Sequence, residues 1–241
     1  MSYQLHRGDA LTVMKTLLDE SVNAVITDPP YSSDGRTSRD VRGKLATSSS
    51  GVHGPKTFPD ENGDHIAWAH RTLTEAYRAS AEHSVAMIFS DWRQKPDISE
   101  GLRMASWTWQ GTIPWIKPAS QPRKGGFEQS ADFITWGGKG SLDNNRDLYL
   151  PGHFTATQPC KDQDHTTQKP MEIMQQLVQI CPEGGTVLDP FTGTGSTGIA
   201  ALREGRRFLG IELNPRYADI AEQRLRAELT QHDFVLAGPE A

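Results

Sequence analysis

Twelve residues do most to limit the folds open to this chain: Val187-Leu188-Asp189-Pro190-Phe191-Thr192-Gly193-Thr194-Gly195-Ser196-Thr197-Gly198. They read as a buried strand, a glycine turn and the opening of a helix. Gly193, Gly195 and Gly198 satisfy G-x-G-x-x-G, and glycines let the backbone curl and approach a ligand closely. The helix N-terminus then presents N–H groups to a negative or polar ligand. A strand–turn–helix unit of this kind belongs to a mostly parallel sheet with helices on both faces. The rest of the chain supplies the alternation. Residues 22–27, 85–89, 108–116, 132–136, 186–188 and 208–211 read as strands. Residues 10–18, 65–82, 95–105, 169–180, 196–203 and 215–229 have helical spacing, and Pro170 falls in the first turn of its helix, where proline is tolerated.

A second strand ends in an unusual way. The apolar run 22–27 is followed by Asp28-Pro29-Pro30-Tyr31. Each proline fixes its own φ and removes a donor, and residues ahead of prolines are pushed extended. An acid and an aromatic ring are thereby held on a rigid ledge at a strand's C-terminal edge, where open α/β sheets bind ligands. An acceptor beside a flat ring suits a planar substrate that carries an amino group.

What the glycine turn binds is narrowed by its own acid. A bare glycine fingerprint also fits a dinucleotide-binding oxidoreductase, and Glu212, nineteen residues beyond Gly193, stands where an acid binds ribose hydroxyls. Asp189, however, would repel a pyrophosphate. It suits the ammonium and sulfonium of S-adenosylmethionine, which favours that donor over NAD.

Bulk properties set the remaining limits. The 241 residues are 36% apolar, and no run approaches the ~20 apolar residues of a membrane span. No apolar stretch follows a basic start, so a signal peptide is not expected. The two cysteines, Cys160 and Cys181, cannot build a disulfide framework, and no Cys/His spacing matches a zinc site. A cytoplasmic protein without a metal is the expectation. The net charge of −5 argues against a nonspecific polycation but leaves room for local basic stripes. One follows the ledge (Arg36, Arg39, Arg42, Lys44), and another lies in a Pro/Gly/Ser-rich stretch (Lys117, Arg123, Lys124). The stretch 32–63 is a long polar loop, a length that is usually functional or mobile. Residues 139–164 show no period.

Together the ledge and the glycine turn resemble the DNA methyltransferases that methylate exocyclic amino groups. Asp28-Pro29-Pro30-Tyr31 is similar to their catalytic motif. Asp189-Pro190-Phe191 with Gly193, Gly195 and Ser196 is similar to their donor loop. The catalytic motif comes first, as in the permuted β class. The resemblance implies a Rossmann-like fold with a mostly parallel seven-stranded sheet and circularly permuted motif order. It implies one domain over 1–241: a catalytic half (1–117) with a loop at 32–63, a target-recognition region (118–164) and a donor half (165–241). Donor contacts are implied for Asp9, Asp28, His165, Thr166, Lys169, Asp189, Pro190, Phe191, Glu212 and Asn214, although Asp9 also suits an N-cap. A flipped adenine in double-stranded DNA is the implied substrate. The acid at 28 favours adenine, since relatives acting on the cytosine amine more often carry Ser there. Phosphate contacts would fall to Arg36, Arg39, Arg42 and Lys44, and base readout to Arg123, Lys124, Asn144, Asn145 and Arg146. A homodimer is implied by analogy, with or without a restriction endonuclease partner.

Overall fold

In the computed structural model, which describes residues 2–30, 65–118, 124–157 and 169–237, the alternation becomes one eight-stranded sheet. The strands are β1 (Tyr3–Arg7), β2 (Val22–Thr27), β3 (Ser80–Ser90), β4 (Thr108–Ile116), β5 (Ala131–Gly138), β6 (Phe154–Thr155), β7 (Thr186–Asp189) and β8 (Arg207–Glu212). The helices are α1 (Ala10–Met14), α2 (His65–Ala79), α3 (Lys95–Met104), α4 (Met171–Val178), α5 (Ser196–Arg203) and α6 (Pro215–Ala237). The sheet order is β1-β8-β7-β2-β3-β5-β4-β6.

The α/β class and the helices on both faces are as expected. The strand count is eight rather than seven. Five of the seven pairings are parallel, and β5 runs antiparallel to both β3 and β4. The strands that periodicity missed are the two edges. β1 carries Gln4, His6 and Arg7 and is only half-buried. β6 is two residues long and lies in the stretch without a period. Helices α1, α2, α4 and α6 differ by more than one residue from what their spacing suggests, α6 running on past 229 to Ala237. α1 stops at Met14, and Thr16 and Leu17 continue as tighter turns on Val13 and Met14. α2 stops at Ala79 because β3 begins at once with Ser80. α4 begins at Met171, with Pro170 as its extended N-cap.

Side-chain alternation builds two cores. Ala24 and Ile26 of β2 join Val85, Met87 and Phe89 of β3 against Ile173, Met174 and Leu177 of α4 and Ile199 of α5. Val22 and Val25 join Ala86 and Ile88 against Trp68, Leu73, Ile98 and Leu102 of α2 and α3. β2 is buried on both faces, which is why its run reads as continuously apolar.

This topology positions the site. β7 connects through α5 to β8 on one side, and β2 connects toward β3 on the other. The chain therefore reverses direction across the sheet at the β2–β7 seam, the kind of crevice where open sheets bind ligands. The seam is closed by register (Ala24 opposite Val187, Val25 opposite Leu188) and by the Asn23 side chain, which accepts from Thr186 N–H at 2.9 Å. Among the described residues, no helix is long and apolar enough to cross a membrane.

Candidate active site

Both acid-bearing turns stand at this seam. Asp28 leaves the end of β2 half-buried, and Pro29 behind it is buried. Its Oδ2 pairs with Lys169 Nζ at 2.5 Å. Its Oδ1 is buried and, among the described residues, carries no hydrogen-bond partner. An unsatisfied buried acceptor is rare and calls for an explanation. Lys169 lies over the rings of Phe89 (5.0 Å) and Trp115 (5.7 Å). Trp115 is in turn fixed by donating from Nε1 to the Ala156 carbonyl at 2.9 Å.

Asp189 is arranged differently. It is 2% exposed. Oδ1 accepts from Thr27 Oγ1 (2.7 Å) and Phe191 N–H (3.1 Å), and Oδ2 accepts from Thr197 Oγ1 (2.6 Å). Burial pushes its carboxyl up to about 6, opposed by those three hydrogen bonds and reinforced by the nearby Asp28 charge. The carboxylate that the sequence reading offers to a donor cation instead ties β2, the turn and α5 together from inside.

The glycine turn itself is open. Gly193 (φ +55°) and Gly195 (φ +87°) both need the left-handed region, and a Cβ at Gly193 would meet nothing within 4 Å. Gly195 is the N-cap of α5, which Ser196 begins. Gly198 serves packing, since a Cβ there would lie 2.6 Å from Phe208. Glu212 reaches back to the turn, accepting from Gly193 N–H (2.8 Å) and from Asn214 N–H (2.7 Å). Burial raises its carboxyl pKa, and these N–H groups oppose the rise. Asn214 also accepts from Arg216 N–H at 3.0 Å and so opens α6. Phe191 packs on Trp68 of α2 with ring centroids 5.5 Å apart. Asp9 caps α1, accepting from Thr12 N–H and Thr12 Oγ1 at 2.8 Å each.

One residue of the turn's support escapes sequence reasoning. Arg224 of α6 donates to the Thr194 carbonyl (2.5 Å) and Oγ1 (3.1 Å). The signal was an arginine beside Leu225 and near Ala221 on the inward face of α6. Of the residues expected to read bases, Lys124, Asn144 and Asn145 are exposed. Arg146 is committed elsewhere: it donates to the carbonyls of Ile180 and, at 2.8 Å, Gln179, at the end of α4. Of the second basic stripe, Lys117 pairs with Asp132. Tyr31, Arg36, Arg39, Arg42, Lys44, Arg123, His165, Thr166 and the loop 32–63 lie outside the described residues. Among the described residues, no cluster of His, Cys, Asp and Glu fits a metal ion.

A rigid acidic ledge, a glycine turn and an acid closing over that turn thus meet at one crevice. The family described as DNA methylase matches residues 22–223. This chain belongs to that family. The Escherichia coli (strain K12) protein YubD is 29% identical over 223 residues, covering 92% of this chain and 89% of that one. Solved structures share the fold. TTHA0409 of Thermus thermophilus, complexed with S-adenosyl-L-methionine, aligns at TM-score 0.69 with 24% identity over 95% of this chain and 96% of its own. The PvuII DNA methyltransferase, described as cytosine-N4-specific, aligns at TM-score 0.70 with 14% identity over 96% of this chain and 92% of its own.

Proposed function

We propose that this DNA methylase transfers a methyl group from S-adenosylmethionine to the N6 amine of an adenine flipped out of duplex DNA. The observation that carries the reading is the unpartnered Oδ1 of Asp28, buried at the seam beside the glycine turn. The donor side fits as well. A Cβ at Gly193 would meet open space, and Glu212 is held by two backbone N–H groups, which leaves lone pairs to accept ribose hydroxyls. Gly193, Gly195, Ser196, Glu212 and Asn214 would hold the donor. When bound, it supplies an activated methyl at a cationic sulfur.

The adenine amine is a poor nucleophile because its lone pair is delocalised into the ring. Asp28 Oδ1 accepts one amine hydrogen, and the Pro29 carbonyl accepts the other. These acceptors draw electron density toward nitrogen and aim its lone pair. This is electrostatic preorganisation combined with positioning. Asp28 also lies against the positive charge that develops on the amine. Tyr31 stacks on the base. Arg36, Arg39, Arg42 and Lys44 grip phosphates, which sets affinity and salt dependence rather than sequence choice.

The cytosine-N4-specific PvuII enzyme has the same fold, so the fold does not choose the base, and the reading for adenine rests on the acid at residue 28. Methylation of the cytosine amine is the second reading. Nucleoside mass spectrometry of unmethylated genomic DNA, incubated with the protein and S-adenosylmethionine, separates them. N6-methyladenine is expected. N4-methylcytosine would replace the first reading by the second. No modified base together with no calorimetric donor binding would remove both.

A further inference from the structure

The ion pair between Lys169 and Asp28 divides the two oxygens of the reactive carboxylate between two tasks. Lys169 reaches Asp28 from the segment that precedes α4. It is followed by Pro170, whose ring fixes φ and pushes the preceding residue extended. Pro170 has φ −57° and ψ 127°. This geometry carries the lysine away from the helix and across to the end of β2. The side chain is only 9% exposed, against 28% for Asp28. Its ammonium is bracketed by Phe89 and Trp115, both fully buried. Those rings stand edge to face with centroids 6.5 Å apart. Such a cradle holds the ammonium in one place, since a cation over an aromatic face is attracted by the ring.

A buried ion pair is weak evidence for stability, because taking both charges out of water offsets their attraction. The pair therefore calls for a reason other than holding the fold. The arrangement supplies one. Lys169 Nζ sits on Oδ2 at 2.5 Å, while Oδ1 of the same carboxylate is buried and unpartnered. A carboxylate bonded at one oxygen cannot rotate freely about its last bond, so the other oxygen keeps a fixed direction.

We propose that Lys169 is a positioning residue for Asp28, holding Oδ2 so that Oδ1 alone faces the amine that receives the methyl group. This rests on the methyl-transfer reading above and goes beyond it. The resemblance implied a donor contact for Lys169; here it acts on the acceptor side of the reaction, through Asp28.

Two variants test this by separating turnover from donor affinity. Lys169→Met keeps the stem and removes the ammonium. Its dissociation constant for S-adenosylmethionine, by calorimetry, should stay within about threefold of wild type. Its kcat on unmethylated genomic DNA at saturating donor should fall about thirtyfold or more, as when a group that orients a reacting atom is lost. Lys169→Arg keeps the charge, but its planar fork binds both oxygens of a carboxylate and so covers Oδ1. It should fold, bind donor and still lose kcat, which an ion pair serving the fold alone would not cause. Should the Met protein fail to fold, the Arg protein decides the matter. A full kcat in Lys169→Arg overturns the proposal. So does an unchanged kcat in Lys169→Met with donor binding weakened by about tenfold or more, which seats the lysine on the donor. A wild-type protein that binds donor and modifies no base overturns the underlying reading instead, and this is seen before any variant is made.

Discussion

Asp28 and Asp189 end neighbouring parallel strands, each is followed by a proline, and each was read from sequence as facing a ligand. Their surroundings are opposite. Every oxygen of Asp189 is bonded inside the protein, to Thr27, Phe191 and Thr197. Asp28 has one oxygen on Lys169 and, among the described residues, the other on nothing. One acid builds the crevice, and the other is left poised within it. Burial alone does not tell such residues apart. What distinguishes them is whether a buried acceptor is satisfied, because leaving one unsatisfied costs free energy and calls for an explanation.

The largest effect should fall on turnover at Asp28. Asp28→Asn should lower kcat by about 10²–10³, the loss typical when a preorganised electrostatic contact is removed, with donor affinity within a few-fold by calorimetry. Near-normal turnover would erase the contrast between the two acids. Asn is the sharper choice than Ala, since its amide oxygen can still accept from Lys169 and the shape of the side chain is kept.

Asp189 should behave in the reverse sense. Its folded-state pKa, about 6, is raised above the ordinary 3.8. The native protein therefore holds more protons than the unfolded chain between those values, and stability falls as pH rises through that window. The stability advantage of wild type over Asp189→Asn should shrink by on the order of 3 kcal/mol from pH 4 to pH 7. Urea titrations of both proteins at several pH values measure it. A difference independent of pH would mean that Asp189 is not the buried acid described.

Glu212 lies between these extremes, since it braces the turn and still faces the crevice. Glu212→Ala should weaken donor binding by about 1.5–3 kcal/mol, and an unchanged dissociation constant would make it a purely structural residue like Asp189. The smallest effect concerns packing. Gly198→Ala places a Cβ 2.6 Å from Phe208 and should lower stability by about 1–3 kcal/mol, read as a shifted melting midpoint.

The same contrast explains how much of the molecule was legible beforehand. The α/β class, the central strands and most helices followed from apolar runs and 3.6-residue spacing, because the buried strands of this sheet are apolar on both faces. Both edge strands were missed because they are short or polar and are defined by their neighbours. Motif spacing located Asp28, Glu212 and the glycine turn. It could not show that Asp189 faces inward, that Arg146 closes the end of α4, or that Arg224 braces Thr194. Those facts depend on which long side chain reaches which carbonyl across the fold, and local sequence carries no record of that. Lys169 was found for its motif, while its partner, Asp28, lies 141 residues away.

The most direct test sets the two acids side by side. Asp28→Asn and Asp189→Asn should be compared with wild type in one series, by kcat for methyl transfer to unmethylated DNA at pH 7 and by melting midpoint at pH 4, below the raised pKa of Asp189. The account predicts that Asp28→Asn all but abolishes transfer in a protein that melts near wild type, whereas Asp189→Asn keeps measurable transfer and shows the larger change in stability. If Asp189→Asn silences transfer without touching stability while Asp28→Asn remains active, the roles assigned to the two acids are wrong.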